Sequence, residues 1–203
     1  MRRATGDERE AAILETAERL MEERPFSEIS VDDLARGAGI SRPTFYFYFP
    51  SKEAVLLTLL DRMVEEARTG RGDALETFAE DPEGSLRRGI TAVYETFRAH
   101  RAAALAGADA LATSAAAREV WADIMHGFVQ DIAASIEVAR ASGAIPQGVP
   151  ARDLSIALNR MNERVFLTIF AGTEPTIAEE DLIDTLVAVW LGAIFGPGSR
   201  PGS

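Results

Sequence analysis

The chain has 203 residues, 47% of them hydrophobic and none of them cysteine, so it can enclose one large core, and disulfides, thiolate metal sites and cysteine nucleophiles are excluded. No run of about eighteen apolar residues occurs and no apolar stretch follows the basic start, so we expect a globular, soluble protein of the cytoplasm without a signal peptide or membrane span. The net charge of −11 argues at first sight against a nucleic-acid partner, because Lys and Arg supply most non-specific affinity by neutralising phosphates.

The first residues predict two amphipathic helices and a tight turn. From Asp7 onwards, apolar residues recur every three or four positions, which predicts a helix that ends near Pro25. Ser30 and Asp33 have the spacing of a near capping box and predict the start of a second helix. Residues 37–40, Gly-Ala-Gly-Ile, then supply a glycine for a turn and an apolar residue that can plug the corner between two helices.

A third, short helix and a fourth, long helix follow. Ser41 is a suitable N-cap for the third helix, and Pro43 in its first turn costs no hydrogen bond. Pro50 ends that helix, and Ser51 caps the fourth, which runs into a glycine-broken stretch around residues 70–72.

The remainder has helical periodicity throughout, with no strand-like alternation. The predicted body helices span about residues 83–99, 101–112, 115–142, 151–171 and 178–195. We therefore predict an all-α fold of about nine helices. Its predicted parts are a three-helix helix-turn-helix domain (1–52), a helical ligand-binding and dimerisation domain (53–196) and a disordered tail (197–203).

The segment 30–56 has the spacing of a helix-turn-helix, in which one helix braces a second that enters the DNA major groove by its N-terminus. Arg42 and Thr44 lie in the first turn of that second helix, where side chains point towards base edges. Tyr46, Tyr48 and Lys52 are longer donors that suit phosphates.

The aromatic residues of the third helix alternate in type. Phe45, Phe47 and Phe49 cannot all be exposed, and Phe45 and Phe49, four residues apart, are predicted to pack into a small core. An aromatic helix can be core and nothing else, but the ordered cap, glycine turn, early proline and Pro-Ser-Lys exit favour DNA binding. Residues 1–52 hold eight basic and ten acidic side chains, which predicts modest non-specific affinity.

The run GISRPTFYFYFPSKEAVL and the all-helical remainder resemble the tetracycline-repressor family of transcriptional regulators. A closer likeness to one mycobacterial branch extends into the body through ETF (95–97), MNER (161–164), FAG (170–172) and DTLVAVW (184–190). The resemblance implies a DNA-binding repressor without a cofactor. It implies that Arg42, Pro43 and Thr44 face bases and that Ser30, Tyr46, Tyr48 and Lys52 hold phosphates. The capping Ser41 is assigned to the same DNA-binding surface. Arg2 and Arg3 would add contacts if the N-terminal tail orders.

The helix predicted at 151–171 is apolar on two sides and carries Asn159 and Asn162. A buried amide needs a hydrogen-bond partner, so these asparagines either bridge neighbouring helices or orient the carbonyl of a ligand. The resemblance favours a pocket for a small apolar ligand with a polar group. The residues that it implies for this pocket are Leu86, Val93, Phe97, Trp121, Met125, Phe128, Asn159, Asn162, Phe166, Leu167 and Trp190.

The last predicted helix is also apolar on more than one side, which is typical of a helix that packs both inward and against a partner. With the 151–171 helix it predicts a four-helix homodimer interface. The residues assigned to this interface are Leu154, Leu158, Met161, Val165, Leu182, Leu186, Val189 and Ala193. A two-fold dimer would place its reading helices about 34 Å apart on a roughly palindromic operator of double-stranded DNA.

Two other classes of protein are alternatives to a DNA-binding regulator. An enzyme is disfavoured because His100 and His126 lack metal-ligand spacing, and no nucleophile elbow, phosphate loop or dinucleotide fingerprint occurs. A helical protein-interaction module that has lost DNA binding stays open on account of the acidic charge.

Overall fold

The computed structural model describes residues 5–196, and within this range the chain forms nine α-helices and one short 3-10 turn, with no strand. The helices are α1 (Gly6–Glu23), α2 (Val31–Gly37), α3 (Arg42–Tyr48), α4 (Lys52–Gly70), α5 (Pro82–Ala99), α6 (Arg101–Thr113), α7 (Ala115–Ala141), α8 (Ala151–Phe170) and α9 (Glu179–Phe195). The prediction of an all-α fold is confirmed. The expectations for Arg2, Arg3 and the 197–203 tail lie outside the described residues.

The predicted helix starts carry side-chain caps. Ser30 and Asp33 form a full capping box, in which the Ser30 hydroxyl accepts from the Asp33 backbone N–H and the Asp33 carboxylate accepts from the Ser30 backbone N–H. Ser41 accepts from the Thr44 N–H at 3.3 Å, and Ser51 accepts from the Ala54 N–H at 3.2 Å. These caps satisfy amide groups that the first turn of a helix leaves unbonded, so each short helix has a defined beginning.

The described chain divides into two compact units. The first unit comprises the residues up to 63 together with 100–120, and it contains α1, α2, α3 and α6. Leu34 and Phe45 lie fully buried in its core. Two polar contacts join α1 to the start of α6: Glu18 lies 2.6 Å from His100 Nδ1, and Arg101 donates to Glu22 at 2.6 Å.

Among the described residues, the second unit comprises 64–99 and 121–196, and it contains α5, α8 and α9. Its core is built around the fully buried Phe166, Leu182, Leu186 and Trp190. At the edge of this core, the Tyr94 hydroxyl donates to Glu179 at 2.7 Å. The pKa of Tyr94 is raised, mainly by its burial and secondly by the neighbouring Glu179 carboxylate. The unit therefore combines an apolar interior with polar contacts at its rim.

Four residues assigned to the dimer interface lie inside this core instead. Leu154 and Leu158 are buried, and Leu182 and Leu186 are 0% and 1% exposed within a single chain. They have almost no surface left to lose against a partner, because α9 packs along α5 and α8 of its own chain. The other four, Met161, Val165, Val189 and Ala193, keep half-buried or exposed side chains.

No helix within residues 5–196 is long and apolar enough to cross a membrane. In the same range, no group of three or more His, Cys, Asp or Glu side chains is arranged to hold a metal ion.

The turn between α2 and α3 depends on Gly39. Its φ of +66° is in the left-handed region, and the Ile40 N–H bonds to the Ala35 carbonyl at 2.9 Å, which closes the C-terminus of α2. A Cβ at position 39 would meet nothing within 4 Å, so only the backbone conformation opposes a side chain there.

Gly39→Ala should lower the free energy of unfolding by about 1 kcal/mol, because an L-residue in the left-handed region costs about 1–2 kcal/mol and a less flexible unfolded chain offsets part of this cost. Urea denaturation followed by circular dichroism measures the effect. Gly6→Ala is the matched control, since Gly6 lies in α1 with no positive φ and open space around it, and it should be neutral or slightly stabilising. Equal stability of the two variants would contradict the proposed strain.

Candidate functional site

The direction in which α3 faces is set by two buried rings. Phe45 is fully buried and Phe49 is nearly so, and their ring centroids are 6.1 Å apart. With 3.6 residues per turn, Phe47 lies on the side of the helix opposite to this pair. The Phe47 side chain is 83% exposed, and it meets only the neighbouring Tyr48 ring edge-on at 5.2 Å among the aromatic contacts described. The burial of Phe45 and Phe49 therefore determines which side chains of α3 face the solvent.

Arg42 is held across the corner between α2 and α3. Its Nη1 donates to Asp32 at 2.9 Å and its Nη2 donates to the Tyr46 hydroxyl at 3.3 Å. The hydrogen bond with Tyr46 and then the charge of Asp32 raise the pKa of Arg42. Both partners are solvent-exposed, so the arginine is oriented without being buried.

The first turn of α3 carries Ser41, Pro43 and Thr44. The Ser41 and Thr44 hydroxyl oxygens are 2.8 Å apart, so one donates to the other, in addition to the cap on the Thr44 N–H. Pro43 is exposed and Thr44 is half-buried. This end of the helix thus presents a proline ring and a threonine whose hydroxyl already has a partner.

Lys52 does not project freely from the start of α4. Its ammonium donates to the carbonyls of Phe26 (2.9 Å), Ser27 (3.2 Å) and Ile29 (2.7 Å), and it lies 4.8 Å from the centre of the Phe26 ring. An ammonium has three N–H donors, so all of them are used. Lys52 braces the 3-10 turn that leads into α2, a role that nothing in the local sequence signals.

All eight residues predicted to face DNA lie between positions 30 and 52 of the first unit. Ser30, Ser41, Arg42, Pro43 and Tyr46 are exposed, while Thr44, Tyr48 and Lys52 are half-buried.

The second unit contains a cavity bordered by α5, α7, α8 and α9 and by the segment between α4 and α5. The cavity is narrow, with a volume of about 80 Å³. Nine of the eleven predicted pocket residues line it. They are Leu86, Val93, Phe97, Met125, Phe128, Asn159, Asn162, Phe166 and Trp190.

Trp121 and Leu167 are not among the lining residues. Trp121 contacts the cavity wall indirectly, because its indole N–H donates at 2.8 Å to Glu163, which lines the cavity. Leu167 lies half-buried elsewhere on α8. Trp121 and Leu167 were assigned to the pocket by resemblance alone, because nothing in the neighbouring sequence indicates where either side chain points.

Twelve lining residues were missed by sequence reasoning. They are Arg71, Ala74, Leu75, Phe78, Ser85, Gly89, Ile90, Ile132, Ser135, Ile136, Glu163 and Ile194. Helical spacing from Leu86 and Phe128 could have found Ile90, Ile132 and Ile136, which continue the same faces of α5 and α7.

The two asparagines in the cavity are oriented by hydrogen bonds of the protein. Asn162 Oδ1 accepts from the Trp190 indole at 3.1 Å, so its Nδ2 remains a donor for another group. Asn159 Nδ2 donates to the Ser155 carbonyl at 2.8 Å. Asn162 therefore bridges α8 and α9, Asn159 bonds within α8, and both side chains line the cavity.

The charged groups of the cavity are paired. Glu163 accepts from Trp121 and, at 2.7 Å, from Arg160. Arg71 contacts Asp131 at 2.5 Å, with only 13% of the arginine side chain exposed. Pairing leaves the cavity close to neutral, so it suits an uncharged apolar molecule better than an ion.

Two family models match the chain. Residues 13–59 match the family model of bacterial regulatory proteins, tetR family, and residues 86–196 match that of the C-terminal domain of the transcriptional regulator EthR.

The chain is 52% identical to the HTH-type transcriptional regulator EthR of Mycobacterium tuberculosis, over 96% of this chain and 90% of that protein. It is 49% identical to the regulator of the same name from Mycolicibacterium smegmatis, over 96% and 89% of the two chains. Among solved structures, Thermus thermophilus FadR, a TetR family transcriptional repressor in complex with lauroyl-CoA, has the same fold, with a TM-score of 0.67, 22% identity and coverage of 96% and 100%. These matches identify a regulator rather than an enzyme: the chain belongs to the tetR family of helix-turn-helix transcriptional regulators.

Proposed function

We propose that this chain is a cytoplasmic repressor that binds a roughly palindromic operator as a homodimer and is released when a small apolar ligand enters the cavity of the second unit. The observation that carries the proposal is the presence, in one chain of this family, of an exposed reading helix and an apolar cavity with oriented amides. We call α3 the recognition helix from here on.

The side chains that we assign to the DNA-binding surface divide into two groups by their chemistry. Arg42, Pro43 and Thr44, in the first turn of the recognition helix, face base edges in the major groove. The hydroxyls of Ser30, Ser41, Tyr46 and Tyr48 lie at its flanks and suit phosphate oxygens. Lys52 supports this surface from behind, because its three donors hold the turn before α2.

Direct binding to DNA tests the first half of the proposal. Tyr46→Phe should weaken operator binding by about 2- to 13-fold, the equivalent of one hydrogen bond of about 0.5–1.5 kcal/mol. Arg42→Ala should lower the preference for operator over scrambled DNA by about fivefold or more, since a good base contact contributes about 1–3 kcal/mol of discrimination. Fluorescence anisotropy against the DNA upstream of the gene, at several salt concentrations, measures both.

Arg98→Ala is the matched control for Arg42→Ala, because Arg98 is equally exposed and equally paired with a carboxylate, Glu95, but lies in the second unit. It should leave DNA affinity unchanged. A wild-type protein that binds scrambled and upstream DNA alike, with no response to Tyr46→Phe, would favour the interaction module that has lost DNA binding.

The dimer that we propose uses the outer faces of α8 and α9. Val189 is 43% exposed, and Ala193 lies one turn further along the same face of α9. Met161 and Val165 form a half-buried pair on α8. Two copies of these faces would form a two-fold interface of four helices, in which the same surface serves both protomers.

Val189→Glu should convert the dimer into a monomer, because it would bury two unpaired carboxylates at a two-fold interface. Analytical ultracentrifugation gives the mass directly. Val138→Glu is the matched control, since Val138 is a 64% exposed valine on α7 outside the proposed interface, and it should stay dimeric. Monomers in both variants, or dimers in both, would contradict the assignment of α9.

The ligand that we propose is slender and apolar, with a hydrogen-bond acceptor such as a carbonyl. The width of the cavity and its apolar walls favour a narrow chain, and the free donor of Asn162 would bind the acceptor. FadR of Thermus thermophilus, which shares the fold, was solved with lauroyl-CoA, and this supports an acyl chain as the first probe. Full release from DNA would need about 5.5 kcal/mol of differential affinity between the two states.

Methyl laurate should raise the melting temperature more than dodecane, which has the same chain without a carbonyl. Asn162→Asp keeps the acceptor for Trp190 but replaces the amide donor, so the difference between the two probes should vanish. Differential scanning calorimetry at equal probe concentrations measures it. An undiminished preference for the ester in Asn162→Asp would show that another group binds the carbonyl.

A further inference from the structure

Phe47 is the most exposed large apolar side chain among residues 5–196. The two other phenylalanines of this segment, Phe45 and Phe49, are buried in the core of the first unit. Phe47 contributes nothing to that core, because its ring points away from it. A phenyl group in water on a helix of seven residues therefore calls for a functional explanation.

The outward strip of the recognition helix is made of carbon. Pro43 and Thr44 precede Phe47 by four and three residues, so the three side chains share one face of the helix. The Thr44 hydroxyl is engaged with Ser41, which leaves its methyl group as the free part of the side chain. The Thr44 hydroxyl is the one polar group of these three side chains, and it is already engaged with Ser41.

The polar side chains of the recognition helix lie to one side of this strip. Arg42 is drawn towards α2 by Asp32, and the Tyr46 hydroxyl accepts from Arg42. These polar groups can reach the edge of the DNA major groove, whereas Phe47 lies at the centre of the helix surface that would enter it.

The major groove offers one apolar feature to such a surface, the 5-methyl group of thymine. Guanine, adenine and cytosine present only donors and acceptors there, which a phenyl ring would bury without partners. We propose that Phe47 is a specificity-determining residue that selects thymine by packing its ring against the 5-methyl group in each half-site. This inference rests on the DNA-reading function proposed above.

Phe47 is a single exposed ring with polar neighbours, and such a ring suits a thymine methyl group better than a protein partner. Protein interfaces need a contiguous apolar patch, and the residues beside Phe47 along the helix, Tyr46 and Tyr48, present hydroxyls. The strip is one helix wide, as a major groove requires.

The test uses an operator that the wild-type dimer enriches from a random pool of DNA duplexes. Affinity is measured by fluorescence anisotropy for this operator and for the same duplex with deoxyuridine in place of thymine, which removes only the methyl groups. The wild type should lose about fourfold in affinity for each methyl that it contacts, the equivalent of one buried methylene. Phe47→Ala should lose a similar factor on the thymine operator and then show no further loss on the deoxyuridine duplex.

Tyr48→Phe is the control, because it removes a flanking hydroxyl and should weaken binding to both duplexes by the same factor. The exposure of Phe47 means that Phe47→Ala should keep the wild-type circular dichroism and melting temperature. A pool enriched by Phe47→Ala should no longer favour thymine at the contacted positions.

The outcomes separate the two levels of the proposal. If the wild type enriches no sequence, both the DNA-reading function and the role of Phe47 are rejected. If an operator is enriched but Phe47→Ala retains the wild-type sensitivity to deoxyuridine, only the role of Phe47 is rejected. A change of oligomeric mass in Phe47→Ala with unchanged DNA binding would instead assign the ring to a protein contact.

Discussion

The burial of Phe45 is the contact on which the reading surface depends. A helix of seven residues is too short to be stable alone, so α3 exists because its inner side chains pack into the first unit. Neighbouring residues on a helix are about 100° apart, so a roll by a single position would turn a different set of side chains outwards. Burial of Phe45 and Phe49 excludes that roll. The core thus determines which groups the helix presents to DNA, even though none of the buried groups touches it.

The sequence was sufficient where the signal is local. Caps at Ser30, Ser41 and Ser51 and the spacing of apolar residues predicted the helices, and every predicted end of a body helix lies within one residue of the observed end. The inward pair Phe45 and Phe49 followed from their spacing in the same way. The role of Lys52 could not be foreseen, because its three acceptors lie 23 to 26 residues earlier in the chain and only the tertiary fold brings them together.

Two further limits have the same physical origin. Helix α9 is apolar on several sides, and an apolar side chain does not indicate whether it packs into its own core or against a partner. Leu182 and Val189 were therefore both assigned to the dimer interface, although only Val189 is exposed. The cavity residues of α5 and α7 follow helical spacing and could be read from it. The segment 71–80 has turns instead of a regular helix, so no period could indicate that Arg71 and Phe78 reach the same cavity.

The acidic charge of the chain bears on how the first unit can recognise a specific DNA sequence. Its described arginines are mostly paired with carboxylates of the same unit, namely Arg19, Arg24, Arg36 and Arg42, so few of its described cations are free to displace counterions from DNA. Low non-specific affinity is an advantage for a regulator, because a genome offers about 10⁶–10⁹ competing sites and the ratio of specific to non-specific binding determines occupancy. Recognition must then come from contacts that charge does not supply. An apolar strip that fits the major groove meets this requirement, because it depends on the chemistry of the base edges, while the hydroxyls fix the register by binding phosphates.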